Sequence, residues 1–212
     1  MRRPWISCNL AISADGKISD SARRPSDWTS VADKERLVRL RRGVDALLVG
    51  RGTLEADRMT LTVAGQQQQP LRCIVSRHGR LDPMHPLFHR DGGGIHLLAT
   101  EVGHANEVRA PDGVVVHTGG LESFLETMSV SHGVETMHCE GGGALVHALA
   151  VLDVIDELHL TIVGHLVIGG HASPTITGTA ADFLPASRRF RLAEWSDGNN
   201  GECYVTWRRE GR

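Results

Sequence analysis

Residues 138–160, HCEGGGALVHALAVLDVIDELHL, put a carboxylate and three consecutive glycines where an apolar run meets a helix-like pattern. Glycines at such a junction let backbone N–H groups approach a phosphate, and the dipole of the following helix favours negative charge there. Gly141-Gly142-Gly143 is not GxGxxG and no P-loop lysine follows, so a tight strand-to-helix connection that needs small residues explains the run equally well. Glu140 sharpens the reading. A carboxylate is disfavoured beside a bound phosphate unless it faces a sugar hydroxyl or a cationic group. A second turn of the same kind, LLVGRGTLEAD (47–57), ends an apolar run at Gly50 and offers Gly52 and Thr53 at a helix start. Two such turns at the carboxyl ends of strands would line one crevice, where open α/β sheets bind their ligands.

The elements that must carry these turns alternate along the chain. Strand-like runs are expected at 5–12, 44–50, 71–76, 94–100, 113–118, 134–139 and 154–164. Helical patterns fall between them: 31–42, with Val31, Leu37 and Leu40 on one face, a short start at 53–57 with Thr53 as a possible cap, then 121–131 and 143–151. RFRLAEWS and CYVTWRR read as a C-terminal antiparallel hairpin joined through residues 197–201, and the glutamine run 66–69 reads as a loop. Alternation of this kind predicts an α/β fold with a mainly parallel sheet. No repeat and no linker is visible, so residues 1–212 are expected to form one domain.

Composition narrows the class. The chain has 212 residues and a formal net charge of −2, so no global field invites nucleic acid or an anionic membrane surface. Four scattered cysteines, Cys8, Cys73, Cys139 and Cys203, contain no CxxC pair and mostly sit inside apolar runs, which fits a reducing compartment. The N-terminus lacks the apolar core of a signal peptide, and no apolar stretch approaches a membrane span; a cytoplasmic protein is expected. Among twelve histidines, His85 and His89 are four apart, but Pro86 lies between them, and His138, Cys139 and Glu140 alternate along a strand. Core or solvated histidines are therefore expected, and no metal site.

SADGKIS (13–19), SDWTS (26–30), LRRGVDALLVGRGTLEAD (40–57) and EGGGALVHALAVLDVIDELHLTIVGHLVIGG (140–170) occur in this order. Together they resemble the reductase domain of the bifunctional riboflavin-biosynthesis deaminase-reductase and its stand-alone archaeal relative. The resemblance implies a dihydrofolate-reductase-like fold: a mainly parallel central sheet flanked by helices, with the C-terminal antiparallel hairpin. It also implies NADPH-dependent reduction of a phosphoribosylamino-pyrimidine to its ribitylamino form, with hydride delivered to C1′ of the opened ribose. The family's fused zinc deaminase carries H-x-E and P-C-x-x-C signatures, and neither occurs in this chain. Family members commonly form dimers, so a homodimer is implied.

Position by position, the resemblance implies NADPH contacts at Ile12, Trp28, Thr53, Asp57 and Arg77 and along 142–148, a stretch that Gly142, Gly143, Ala144 and Leu145 open; Gly50 and Gly141 join the set from the two glycine turns, and Ser76 as the neighbour of Arg77. Arg77 would take the 2′-phosphate by a bidentate contact. Substrate contacts would fall on Ser26, Arg41, Leu61 and Glu140, and Arg58 is a further candidate from outside the family's pattern. Lys17, Asp57 and Glu140 are the candidates for the catalytic proton, Lys17 because an ammonium is both donor and acid.

The chain departs from the pattern after LEAD. Where the family reads a second aspartate, a proline and, further on, an arginine that helps bind the substrate phosphate, this sequence has Arg58, Met59 and Ala64. Loss of that arginine removes a charge-assisted contact worth about 1.5–3 kcal/mol. Arg58 or Arg51 could replace it. The departure leaves two further readings open: an NADPH-dependent reductase of a dihydropterin or another small heterocycle, and a non-catalytic NADPH-binding sensor.

Overall fold

The computed structural model describes residues 2–24, 27–101, 108–179 and 183–211. Its contacts group the chain into two compact units, each built from separate stretches: residues 1–5 with 41–138, and 6–40 with 139–212.

In the first unit, strands β2 (Ala46–Gly50), β3 (Leu71–Ser76), β4 (Ile95–Ala99), β5 (Val114–Thr118) and β6 (Thr136–Cys139) are laid out in the order β5-β4-β3-β2-β6. β6 carries the chain into the second unit at Cys139. The pairs β2–β3, β3–β4 and β4–β5 are all parallel. Central strands of a covered parallel sheet read as continuous apolar runs, and β4, IHLLA, is buried at every position. Leu47, Val49, Ile74, Ile95 and Leu97 pack with Leu54 of helix α2 (Arg51–Ala56) and with Leu61, Leu81 and Leu87 into one core. Two polar groups fasten its edges. The Asp45 carboxylate accepts from the Glu135 and Thr136 backbone N–H groups and from the Thr136 hydroxyl. The buried Arg72 guanidinium donates to the carbonyls of Leu87, Gly93 and Arg90.

In the second unit, β1 (Trp5–Ser13) runs parallel to β7 (Glu157–Val163), and β9 (Glu202–Arg209) and β8 (Phe190–Asp197) follow antiparallel. The β8–β9 connection turns at Asn200 and Gly201, both with positive φ, and the Gly198 N–H closes it on the Glu202 carbonyl at 2.7 Å. Asp156, fully buried, accepts from the Ile6 N–H at 2.9 Å and so aligns the starts of β1 and β7.

Helix α1 (Val31–Arg41) departs from the apolar-face expectation. Val31 is 71% exposed, and the buried residue of the helix is Asp33. Polar contacts hold it instead. Ser30 caps it by accepting from the Asp33 N–H. The Ser30 N–H and hydroxyl both donate to the buried Glu202 carboxylate, Thr161 donates to Asp33 at 2.5 Å, and Arg36 reaches Asn9. Helices α3 (Leu121–Ser131) and α4 (Gly143–Val151) coincide with the expected spans. The α2 start does not: it begins at Arg51 with Gly50 as N-cap, so Thr53 is a third-position residue rather than the cap. The glycine supplies the extended backbone that Thr53 was expected to supply (φ −76°, ψ 143°). The glutamine run is a loop closed on itself: the Gln69 amide bridges both Val63 backbone groups and the Gln66 carbonyl.

Candidate functional site

Each unit brings its share of the expected site residues to the carboxyl end of its parallel strands. In the first unit Gly50 pairs in register with Val75, so the end of β2 and the Ser76-Arg77 step off β3 lie side by side. Gly50 caps α2 with no side-chain hydrogen bond, which leaves the first-turn N–H groups without a side-chain cap. Thr53, half-buried, stands on this first turn, and Asp57 is the C-cap, its N–H on the Thr53 carbonyl at 3.0 Å. Ser76 is buried, and its hydroxyl accepts from the Gly79 N–H at 3.1 Å, shaping the turn that exposes Arg77. Among the described residues the Arg77 guanidinium has no hydrogen-bond or ion-pair partner.

Three expected substrate contacts also lie in or next to this unit. Arg41 ends α1 and is half-buried. Arg58 is exposed at φ 48°. Of the two arginines that could stand in for the missing one, Arg51 is held by both oxygens of Glu55, at 2.9 and 3.0 Å, whereas Arg58 has no ion pair among the described residues. Leu61 is different: its side chain is fully buried in the core, so only its backbone, at φ 54°, is left to meet a ligand. Met59, where the resemblance implied a proline, packs on the same core.

In the second unit Ile12, half-buried, is the penultimate residue of β1, and the SADGK loop leaves the strand after Ser13. The loop is pinned from inside. The Ser13 hydroxyl donates to Asp15 at 2.6 Å and accepts from the Lys17 N–H at 3.0 Å. The Asp15 carboxylate also accepts from the Ile168 and Gly169 N–H groups, and these bonds, the Ser13 one foremost, hold its pKa at about 2. The Lys17 ammonium donates to the Ser173 carbonyl at 3.2 Å, and the Ile18 N–H to Pro174. The loop is thus tied to residues 168–175, and an open pocket of about 300 Å3 lies beside them, lined by Asp20, Ser21 and residues 168–173. Trp28 is half-buried; Ser26 lies outside the described residues.

Glu140, only 9% exposed, follows β6 directly. Gly141 takes φ +90°, beside Leu10 of β1, and Gly142 caps α4 without a side-chain bond while its carbonyl accepts from Leu145 and Val146. Gly143 has an internal reason to be glycine: a Cβ there would lie 2.3 Å from the Gly178 nitrogen. Residues 175–178 form a closed turn against the helix start, with Thr175 and Gly178 exchanging backbone bonds. Ala144 is exposed and Leu145 buried. Farther along α4 the buried His147 Nε2 has no hydrogen-bond partner among the described residues.

The histidines singled out by spacing turn out to be structural. His85 caps the 3-10 turn Pro86–His89 by accepting from the Leu87 N–H, and its other ring nitrogen sits 3.2 Å from the Leu54 carbonyl. His89 faces the Pro83 carbonyl instead. Spacing gave no hint of a cluster that the fold makes among the described residues, His96 with His117 and His132.

The RibD C-terminal domain family matches residues 4–204. The chain is 30% identical over 194 residues to the 2,5-diamino-6-ribosylamino-4(3H)-pyrimidinone 5′-phosphate reductase of Archaeoglobus fulgidus, covering 82% of this chain and 86% of that one. It is 28% identical over 199 residues to the protein of the same name from Methanothermobacter thermautotrophicus, covering 90% and 91%. Among solved structures, the deaminase/5-amino-6-(5-phosphoribosylamino)uracil reductase of Thermotoga maritima superposes with a TM-score of 0.79 at 21% identity, over 98% of this chain and 57% of that one. The dihydrofolate reductase of Enterococcus faecalis gives 0.54 at 16% identity, over 98% and 97%. The last two likenesses establish the dihydrofolate-reductase-like fold.

Proposed function

The chain belongs to the RibD C-terminal domain family, and on that premise we propose that it reduces a phosphoribosylamino-pyrimidine, 5-amino-6-(5-phosphoribosylamino)uracil or its diamino precursor, to the ribitylamino form in riboflavin biosynthesis. The observation that carries the reading is the 30% identity, over most of both chains, to a reductase of the diamino compound. It is an oxidoreductase with a nicotinamide cofactor, and we take that cofactor to be NADPH and residues 1–212 to be one reductase domain, since the family match runs through both contact units.

The residues present fit such a cofactor. α2 and α4 both start at glycines with no side-chain cap, which suits pyrophosphate oxygens. The Arg77 guanidinium, without a partner among the described residues, suits a 2′-phosphate, which NADPH has and NADH lacks. Gly50, Thr53, Ser76, Gly141, Gly142 and the Ala144 backbone supply further donors; Gly143 and Leu145 hold the turn in shape. Ile12 and Trp28 supply apolar surface for the nicotinamide end. The bound dinucleotide supplies the hydride.

The chain's own groups supply orientation and the proton. In the substrate the C1′–O4′ bond breaks, O4′ takes a proton and becomes a hydroxyl, and C1′ takes the hydride. Lys17 donates one of its three N–H bonds to Ser173, which aims the ammonium while leaving two bonds for the sugar or its opening oxygen. Glu140, nearly buried, accepts from sugar hydroxyls or the ring amine, and Asp57 is the remaining proton candidate. Arg58 takes over the phosphate contact that Ala64 cannot make, with Arg41 and Ser26 completing the substrate set. Exposed Leu192 and Trp195 on β8, 52% and 60% accessible, support a homodimer; the reducing cytoplasm is the expected location, in keeping with four free cysteines.

Loss of reduced-nicotinamide absorbance on adding either phosphorylated pyrimidine tests the reading. Turnover that falls at least about a hundredfold in Glu140→Ala is expected, which corresponds to about 2.7 kcal/mol. Tight NADPH binding without turnover on either compound would move the assignment to another heterocycle or to a sensor.

A further inference from the structure

His96 of β4 and His117 of β5 lie on neighbouring parallel strands, and His132 follows α3 as its C-cap. The His96 Nδ1 and His117 Nε2 atoms are 3.0 Å apart. The His132 ring stands edge-on to both, with centroids 4.5 Å from His96 and 6.0 Å from His117. One ring nitrogen from each residue lies within 4.8 Å of the other two. We propose that these three imidazoles bind one divalent transition-metal cation of the Zn2+ class, with water in the remaining position.

Geometry and chemistry point the same way. Zn–N bonds of about 2.0–2.1 Å in a tetrahedron place ligand nitrogens about 3.4 Å apart, a spacing this trio reaches by small ring rotations. Imidazole is a ligand that Zn2+, Ni2+ and Cu2+ share, and the absence of a carboxylate in the group disfavours Ca2+ and Mg2+. The three rings grade from inside to outside: His96 is 4% exposed, His117 is half-buried with Phe124 edge-on at 5.1 Å, and His132 is exposed. A cation therefore enters past His132 and keeps a solvent-facing position.

The rings are also ready to coordinate. A neutral imidazole keeps one ring-nitrogen lone pair for a cation. In the metal-free protein one of the two facing nitrogens donates its N–H to the other. Coordination requires that donor ring to move its hydrogen to its far nitrogen, a tautomer change with no net proton gain or loss. The cation would tie β4, β5 and the end of α3 together. None of the three residues belongs to the proposed cofactor or substrate set.

The test uses the whole chain without a histidine tag, stripped of metal and titrated with Co2+ as a visible probe and with Zn2+ by calorimetry. One equivalent per chain, a tetrahedral Co2+ spectrum displaced by Zn2+, and an upward melting shift of roughly 5–10 °C at a hundredfold excess over Kd are expected. His132→Ala, at an exposed position, and His117→Ala should each weaken binding at least about tenfold, while His171→Ala leaves it unchanged. Absence of saturable binding, or equal binding in the wild type and both cluster variants, would overturn the proposal and leave the trio a hydrogen-bonded ring pair with a neighbour.

Discussion

Replacing Gly143 by alanine tests whether the first residue of α4 is glycine for packing against the 175–178 turn. The added Cβ would lie 2.3 Å from the Gly178 nitrogen, 2.5 Å from its Cα and 2.9 Å from the Thr175 oxygen. All three are backbone atoms, so no rotamer relieves them, and ordinary contact begins only at 3.4 Å. Either the helix start or the turn must move by about 1 Å, a forced overpacking that costs about 1–3 kcal/mol. In a chain of this length each kcal/mol is worth about 2–4 °C, so the melting temperature should fall by roughly 2–12 °C. Thr175 also bridges to Lys17, so turnover should drop with stability. Gly52→Ala is the contrast: nothing lies within 4 Å of its Cβ, and alanine in a helix should raise stability by about 0.5–1 kcal/mol. Thermal and urea unfolding of the two variants side by side decide the matter. Equal stabilities would refute the packing argument and return the glycines to the ligand alone.

Arg77→Ala should raise KM for NADPH roughly 10–100-fold, from a lost charge-assisted contact of about 1.5–3 kcal/mol, and leave KM for NADH unchanged; equal changes for both would remove Arg77 from the 2′-phosphate. Asp15→Asn should flatten the acid limb of stability. The folded pKa of about 2 lies below the ordinary 3.8, so the Asp15 contribution is complete above about pH 4 and lost as pH falls toward 2, as urea midpoints across that range would register. His159 behaves as a buried neutral base. Burial above all, with Arg36 and Arg208 against protonation and Glu157 for it, brings its pKa down to about 4, while Thr206 bonds its Nδ1. The unfolded chain then takes up the proton first, so stability is complete above about pH 6.5 and declines toward pH 4, and His159→Gln should show a shallower decline.

Periodicity reached most of the fold because most elements bury one apolar face. β3, α3 and α4 fall on the expected residues, and the C-terminal hairpin turns where its Gly and Asn residues put it. α1 shows the limit. Its apolar residues suggested a face through Val31, yet the helix is held by Ser30, Asp33 and Arg36 against Glu202, Thr161 and Asn9, partners that sequence order gives no reason to pair. The site motifs were legible as strand ends and glycine turns, but what surrounds each residue was not. Leu61 keeps its side chain in the core, Lys17 leans on a carbonyl 156 positions away, and Gly143 answers to Gly178. The histidine trio was invisible for the same reason: adjacent parallel strands bring together His96 and His117, 21 positions apart, and no local spacing rule reports it.

The most direct test of the central claim is transfer of deuterium from NADPH labelled at its transferring carbon to the phosphoribosylamino-pyrimidine, followed by mass spectrometry and NMR of the product. The account predicts a ribitylamino product with one deuterium at C1′, formed by the wild type and lost in Glu140→Ala. Consumption of the cofactor with no label at C1′, or an unlabelled and unreduced pyrimidine, would contradict it.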